Sequence, residues 1–223
     1  MNRVLVKFSN IKKRIICSIK SYFLSKKVDE GNGKFIIKDS KIKVNIRKRE
    51  GAKLQLNGNV IISSHSSSNN KTVTIVLGRH SVLKIKGDFT IGNDVKIHLS
   101  KGAQLSFGGK LIESASGITA DTFIMVNKKI EIGTDFLCAW GVFITDSDWH
   151  QIEDQPHQAD VLIGNHVWIA NNSSVLKGTV INDNCIVASN SKLINKTYPS
   201  DSMIAGSPAR VVKSDINWSR DIE

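Results

Sequence analysis

Aromatic side chains and cysteines are scarce in this chain, and several motifs that mark common enzyme classes are missing. Aromatic residues make up 6% of the 223 positions, which suits a narrow core of Ile, Val and Leu better than one of rings. The 3 cysteines have no Cys-x-x-Cys spacing, so a reduced cytosolic setting fits them best. There is no phosphate-binding glycine-rich loop and no Gly-x-Ser-x-Gly nucleophile motif. The chemistry must therefore be sought elsewhere in the chain.

Acidic side chains are missing from residues 1–27, although this segment contains eight of the 31 Lys and Arg residues. The net charge of the whole chain is +11, but residues 28–223 have 23 basic and 20 acidic side chains, an excess of only +3. The basic character is therefore a property of the N-terminus. No nucleic-acid partner is expected for the protein as a whole.

A repeat of six residues dominates the C-terminal half. From Val161 to Thr197 an aliphatic residue recurs at every sixth position, and a small or short side chain stands two places before each one. The aliphatic column consists of Ile163, Ile169, Val175, Ile181, Val187 and Leu193. Helices space apolar residues three and four apart and single strands two apart, whereas a period of six indicates a β-helix of stacked coils.

The same column extends towards the N-terminus. It returns at residues 85–97 and 126–144, and alternating apolar residues over 35–62 predict short strands that open the solenoid. A turn signature such as Ile132-Gly-Thr-Asp-Phe accompanies the column, and its Gly and Asn residues are expected to supply the positive φ of tight corners. Because stacked coils bury one continuous core, residues 35–213 are predicted to form one all-β solenoid domain.

Residues 1–30 form a separate basic segment. Apolar residues between positions 3 and 24 are spaced mostly three and four apart, with lysines on the other face, which predicts an amphipathic helix. Its charges are too frequent for a bilayer-spanning segment, and it lacks the cleavage site of a signal peptide. Two interpretations remain open: residues 1–27 lie on an anionic inner-membrane surface, or the helix packs on the first coil or on a neighbouring subunit.

The column breaks after Ile144 and restarts at Ile163, nineteen residues later. We interpret this interval as one coil of about eighteen residues with one extra residue. Its sequence, TDSDWHQIEDQPHQAD, is polar and contains a tryptophan. Departures from a local rule are where functional residues are expected.

His150 is the main catalytic candidate within this break. A neutral hydroxyl is a poor nucleophile, and an imidazole that titrates near neutrality is suited to remove its proton. Asp146 and Asp148 are close enough in sequence for one of them to orient the ring or favour its cation. His157 and His166 are weaker candidates.

Together these motifs resemble the hexapeptide-repeat, left-handed β-helix acyltransferases over roughly residues 85–213. The resemblance implies a left-handed parallel β-helix with a short C-terminal extension, a homotrimer with active sites in the clefts between subunits, and acetyl-CoA as the donor. The family carries a catalytic histidine at the break, which is His150 here. Some relatives hold zinc through three histidines, but the six histidines of this chain show no such spacing, and no metal is expected.

The resemblance also implies the residues that bind the two substrates. Trp149 and Trp168 are expected to line the acceptor pocket, with Trp168 about one coil above His150. The positions that match the family's coenzyme contacts are Ala170, Asn171, Ala188 and Ser189 for the pantetheine arm, and Lys196, Arg210 and Lys213 for the phosphates.

The segment DSDWH, with no nucleotide-type domain before it, is most similar to bacterial O-acetyltransferases that modify cell-surface polysaccharides of the O-antigen or capsule type. This implies direct transfer to a sugar hydroxyl in the cytoplasm, at the cytoplasmic face of the membrane if residues 1–27 bind lipid. Two alternatives stay open. One is N-acetylation of a nucleotide-linked amino sugar, and the other is a non-catalytic β-helix that acts as a scaffold at the membrane.

Overall fold

The computed structural model describes residues 3–65 and 71–221. Its strands form three long sheets, because each coil of the chain contributes one strand to each of three faces. Strands of adjacent coils pair in parallel, and only the last strand of the described chain turns back antiparallel. The predicted β-solenoid is therefore confirmed, and its strands run from Phe35 to Lys213.

The strands follow one another around the three faces in chain order. Face 1 contains β1 (Phe35–Ile37), β4 (Val60–Ile62), β7 (Phe89–Ile91), β10 (Gly117–Ala120), β13 (Leu137–Trp140), β16 (Trp168–Ile169), β19 (Ile186–Val187), β22 (Met203–Gly206) and β23 (Ala209–Lys213). Face 2 contains β2 (Lys43–Lys48), β5 (Thr72–Leu77), β8 (Lys96–Leu99), β11 (Phe123–Val126), β14 (Phe143–Thr145), β17 (Ser174–Val175) and β20 (Lys192–Leu193). Face 3 contains β3 (Lys53–Leu56), β6 (Val82–Ile85), β9 (Gln104–Gly109), β12 (Lys129–Thr134), β15 (Val161–Ile163), β18 (Val180–Ile181) and β21 (Thr197–Tyr198).

The aliphatic column fills the centre of the solenoid. All six of its members from Ile163 to Leu193 are buried, and so are Cys138 and Cys185. Each inward residue lies over the inward residue of the next coil, as Ile163 does over Ile181. Side chains alternate between the two sides of a strand, so a column of fixed period produces one continuous apolar bore.

The corners use the turn signature differently from the prediction. In Gly133-Thr-Asp135 and Gly164-Asn-His166, the residue two places after the glycine has the positive φ, 54° in both cases. A Cβ atom at Gly133 would lie 2.5 Å from the carbonyl oxygen of Gly164, and one at Gly164 would lie 2.3 Å from Asp183 Oδ1. The expectation that these glycines supply the positive φ is therefore wrong. They are required because successive corners stack too closely for a side chain.

The interval between β14 and β15 is not a coil. Ile144 pairs with Val175 on face 2, whereas Ile163 pairs with Ile132 on face 3, so the two ends of the interval belong to consecutive strands. Within each unbroken run the column residues are six positions apart, and here they are nineteen apart, so the segment 146–160 is thirteen residues longer than an ordinary corner. The interpretation as one coil with one extra residue is wrong, because residues 146–160 form an insertion at the corner between faces 2 and 3.

Helix α1 (Arg3–Ser25) covers the open edge of face 1, where β1 has no preceding strand among the described residues. The backbone N–H groups of Phe35 and Ile37 donate to the hydroxyls of Ser25 and Ser21, at 3.0 and 2.9 Å. An edge strand with unpaired N–H groups would invite pairing with another chain, and the two serines remove that exposure. Within residues 3–65 and 71–221, no helix combines the length and apolar character needed to cross a bilayer.

Candidate active site

The insertion at residues 146–160 folds back on itself as a short hairpin. Ser147 forms an antiparallel bridge with Gln158, and Ile152 forms one with Gln155 across the tip. The N–H of Asp148 donates to the carbonyl of His157 at 2.8 Å, which holds the two arms together. The polar segment that carries the predicted catalytic residues is therefore an ordered hairpin attached to one corner of the solenoid.

Asp146 anchors the base of the hairpin. Its side chain is completely buried, and its carboxylate accepts three backbone N–H groups of the preceding coil, from Asn127, Lys128 and Lys129, each at 2.7 Å. The carbonyl of Asp146 also accepts the N–H of Ala159 at 3.1 Å, which joins the outgoing arm to the returning one. A buried carboxylate is stable when several donors surround it, as they do here.

Asp148 is held by the next coil instead of by the histidine. Its carboxylate forms an ion pair with Lys177, whose ammonium group also donates to the carbonyl of Pro156 at 2.6 Å. Within the described residues, no hydrogen bond joins Asp146 or Asp148 to His150. Both carboxylates hold the hairpin in place, and the expectation that one of them orients the imidazole has no counterpart within a single chain.

Trp149 and His150 are arranged in opposite ways. The indole N–H of Trp149 donates to Thr145 Oγ1 at 3.0 Å, and its backbone N–H donates to Ser147 Oγ at 3.1 Å. Trp149 has a φ of 66°, which turns the chain sharply at this point. His150 follows directly and is exposed. The hairpin thus buries part of the tryptophan and presents the imidazole outside the chain.

A line of small residues runs along a different corner, between faces 1 and 2. It consists of one alanine from each of four successive coils, and we call it the alanine corner: Ala139, Ala170, Ala188 and Ala205. Beside it, the Ser189 hydroxyl donates to Asn171 Oδ1 at 2.7 Å and ties two coils together. The predicted pantetheine contacts are therefore brought together on one corner, with Ala170 and Asn171 in one coil and Ala188 and Ser189 in the next.

The chain has clear relatives. The sequence profile described as "Bacterial transferase hexapeptide (six repeats)" matches residues 160–195. A polysialic acid O-acetyltransferase of Neisseria meningitidis is 38% identical over 191 residues, and the match covers 74% of this chain and 87% of that protein. This chain belongs to the hexapeptide-repeat acyltransferase family. It is therefore an enzyme of the acyltransferase class, as the sequence motifs predicted.

Two solved structures resemble this hexapeptide-repeat acyltransferase. The polysialic-acid-specific acetyltransferase NeuO aligns with a TM-score of 0.51 at 22% identity, over 87% of this chain and 88% of that one. The polysialic acid O-acetyltransferase OatWY aligns with a TM-score of 0.46 at 29% identity, over 87% and 92%. The likeness to NeuO confirms the predicted left-handed β-helix.

The residues predicted to meet the coenzyme phosphates lie at three separate places. Arg210 pairs with Ala205 at the end of the alanine corner, whereas Lys213 pairs with Met203 at the opposite end of the same strand. Lys196 lies between faces 2 and 3, two coils beyond the hairpin, with its ammonium group 5.6 Å from the centre of the Tyr198 ring. One chain therefore brings only Arg210 close to the predicted pantetheine contacts.

Trp168 does not lie above His150. It is part of β16 on face 1, between Leu137 and Ile186 of the adjacent coils, whereas the hairpin leaves the corner between faces 2 and 3. The expectation of a position one coil above is wrong, because it counted the insertion as a coil. Trp168 instead lies beside Trp218, with the ring centres 5.9 Å apart.

The C-terminal tail around Trp218 was missed by the sequence motifs, which ended at Lys213. Trp218 stacks on His166 with ring centres 4.0 Å apart, and the His166 Nε2–H group donates to the Trp218 carbonyl at 3.0 Å. Glu113 Oε1 lies 3.4 Å from the other ring nitrogen of His166. A tryptophan in a mostly polar tail is the sequence feature that could have indicated this contact. His166 is therefore occupied in holding the tail.

Neither buried cysteine is suited to form a covalent acyl intermediate. Burial raises the pKa of the Cys138 thiol to about 12, and burial also raises the pKa of Cys185. The thiolate is the reactive form, and it is strongly disfavoured at both positions near neutral pH. Among the described residues, no group of three His, Cys, Asp or Glu side chains is placed to hold a metal ion.

Proposed function

We propose that this acyltransferase uses acetyl-CoA to O-acetylate a sugar hydroxyl of an acidic cell-surface polysaccharide. The observation that carries the proposal is the 38% identity to a protein named polysialic acid O-acetyltransferase, over 74% of this chain. The exposed imidazole on an ordered hairpin supports it, because such a group is available to a large acceptor. A polymer chain can approach a catalytic group on an open surface more easily than one inside a closed pocket.

The chemical step is direct transfer. His150 removes the proton from the acceptor hydroxyl while its oxygen attacks the thioester carbonyl, and backbone N–H groups stabilise the oxyanion. The C–S bond then breaks, and the protonated imidazole gives its proton to the departing coenzyme thiolate. The products are the O-acetyl sugar and free coenzyme A. Asp146 and Asp148 contribute by holding the hairpin, so they are positioning residues.

The site is completed by a second subunit. His150 and Lys196 belong to the corner between faces 2 and 3, whereas the alanine corner lies between faces 1 and 2. Within one subunit the two corners lie on different sides of the solenoid, so residues at one corner do not contact residues at the other. In a trimer with a threefold axis parallel to the solenoid, one corner of each subunit faces a different corner of its neighbour. Such a cleft would join His150 and Lys196 of one subunit to Asn171, Ser189 and Arg210 of the next.

We predict that two inactive variants complement each other. His150→Ala removes the base, and Ala188→Trp fills the alanine corner, so each homotrimer should be inactive. When the two chains are co-expressed in equal amounts, a site that takes its hairpin from one chain and its corner from the other regains both intact halves. Every cyclic trimer that contains both chains has one such site out of three, so about a third of wild-type turnover is expected of mixed trimers.

The measurement is coenzyme release from purified mixed trimers that carry two different affinity tags. Sedimentation should give about three times the 24.6 kDa mass of the chain. A mixture of the two homotrimers prepared separately is the control and should stay inactive until subunits exchange. Mixed trimers without activity, or an active monomer, would contradict a site shared between subunits.

Acceptor identity is tested by coenzyme release with a panel of polysialic acid, neutral polysaccharides and nucleotide-linked amino sugars. Turnover with the acidic polymer, and an alkali-labile acetyl group on the product, is the expected result. Turnover only with the amino sugar, giving an alkali-stable amide, would favour N-acetylation. The absence of turnover with every acceptor, together with no binding of acetyl-CoA, would favour the scaffold.

A further inference from the structure

A helix that covers a core usually turns its apolar side towards that core. Helix α1 does the opposite. The side that faces the solenoid carries Cys17, Ser21, Leu24 and Ser25, and the serines bind the edge strand β1. The large apolar side chains point away from the solenoid. We call them the outer stripe: Ile11, Ile15, Ile19, Tyr22 and Phe23, which are 46 to 62% exposed.

The outer stripe is a continuous surface. Its members are spaced three and four positions apart along one side of the helix, where neighbouring turns place them next to one another. Scattered exposed apolar residues need no explanation, but five on one helix face mark a surface that is covered in use. The amphipathic pattern predicted from sequence is therefore present, but it serves something outside the chain.

Two lysines fix the helix so that the outer stripe stays outside. Lys20 Nζ donates to the carbonyls of Ser40 and Ile42, at 2.7 and 2.8 Å. Lys27 Nζ donates to the carbonyl of Ile46 at 2.9 Å. A helix that rolled to bury its apolar residues against the solenoid would lose these three bonds and both serine contacts with β1. The orientation is thus built into the packing.

A groove of about 1290 Å³ lies beside the outer stripe, between α1 and the first coil. Six of its lining residues are cations that form no ion pair within the described chain: Lys13, Arg14, Lys26, Lys34, Lys38 and Lys41. Among the described residues that line the groove, one is acidic, Asp39, and its carboxylate is paired with Lys71 at 3.0 Å. Apolar residues and unneutralised cations therefore share one end of the molecule.

We propose that the outer stripe and the cationic groove are a docking surface for an anionic lipid bilayer. The stripe enters the boundary between headgroups and acyl chains, and the groove receives headgroup phosphates. Each cation near an anionic bilayer surface adds about 1 kcal/mol to binding. A second copy of this helix is a poorer occupant, because residues 1–27 have eight cations and no acid, so two such helices repel each other.

The test is co-sedimentation of the full chain with vesicles of phosphatidylglycerol and phosphatidylcholine, compared with vesicles of phosphatidylcholine alone. Binding should require phosphatidylglycerol and should weaken as salt is added, because screening shortens the reach of the cations. Ile15→Glu in the outer stripe should lower the partition coefficient at least about tenfold, since it removes an isoleucine that the bilayer would bury. Lys13→Glu with Arg14→Glu should also lower it.

The matched control is Asn182→Glu, which adds the same charge to an exposed position between β18 and β19, in a coil remote from α1 and the groove. It should retain most of the binding. Equal loss for Asn182→Glu and Ile15→Glu would mean that net charge alone matters, and it would overturn the role of the stripe. Coenzyme release with a soluble acceptor should be unchanged in all three variants, which separates this proposal from the proposed function.

Two further outcomes would overturn the proposal. If the lipid-free protein is larger than a trimer and Ile15→Glu reduces it to a trimer, then the outer stripe is an interface between copies. If soluble polysialic acid binds the wild type and Ile15→Glu equally well but the Lys13 and Arg14 variant poorly, and vesicles do not bind, then the groove serves a polysaccharide. All the substituted positions are exposed, so each variant should keep the fold. Circular dichroism of each variant verifies this.

Discussion

His150→Ala is expected to lower kcat by a factor of about 10²–10⁴, which is the usual contribution of a positioned general base. The imidazole is exposed at the hairpin, and no side chain of the described residues forms a hydrogen bond with it, so its removal disturbs no contact within the chain. The binding of acetyl-CoA should stay close to wild type, because the proposed coenzyme contacts are made by other residues and His150 acts on the acceptor hydroxyl. Steady-state coenzyme release and calorimetric titration of the donor measure the two effects separately.

The control for His150 is the second histidine of the hairpin. His157 Nδ1 lies 3.2 Å from the Ser147 hydroxyl and its backbone carbonyl joins the two arms, so it has a structural partner. His157→Gln keeps a hydrogen-bonding group there and should change kcat by no more than a few-fold. Near-wild-type turnover of His150→Ala would refute the assignment.

The solenoid could be predicted from sequence because its inward column repeats over six consecutive hexads from Ile163 to Leu193. Ile163, Ile181 and their equivalents in the other coils are buried, and a period of six in apolar side chains is a signature of β-helices. The same counting failed between Ile144 and Ile163. Nineteen residues are nearly the length of one coil, so the spacing alone does not distinguish an extra coil from an inserted hairpin.

The side-chain contacts that hold the candidate site in place could not be predicted from the repeat either. Asp146 and Asp148 are close to His150 in sequence, as a carboxylate that orients the ring could be. In the structure, however, Asp146 binds backbone N–H groups and Asp148 binds Lys177. The sequence likewise reported an apolar stripe on α1 but not which side faces the solenoid. That choice depends on Lys20, Ser21 and Ser25 and on the edge strand they meet.

Asp146→Ala is the second substitution with a large expected effect. The buried carboxylate is the acceptor for three partly buried backbone N–H groups of the preceding coil, and alanine leaves all three without it. An unsatisfied donor costs about 1–3 kcal/mol when it is fully buried and less when water reaches it, so the free energy of unfolding should fall by about 3 kcal/mol. For a chain of this size that corresponds to about 6–12 °C in the melting temperature.

Asp148→Ala is the matched control, because it removes a carboxylate two residues away that is paired with Lys177 near the surface. The loss of such a pair costs about 1 kcal/mol or less, and the melting temperature should fall by only a few degrees. Thermal unfolding followed by circular dichroism compares the two variants directly. Limited proteolysis shows which part of the structure is destabilised. The hairpin at residues 146–160 should become the first cleavage site in Asp146→Ala.

The effect of Asp146→Ala on activity follows from the same contacts. His150 is carried by the hairpin, and without its anchor the imidazole no longer has one position relative to the neighbouring subunit. Misplacement of a catalytic group by about 1 Å can reduce the rate by about 10². We therefore expect kcat to fall by a similar factor below the melting transition, with the affinity for acetyl-CoA retained. If Asp146→Ala unfolds at the wild-type temperature and keeps full kcat, then the buried carboxylate does not position the base.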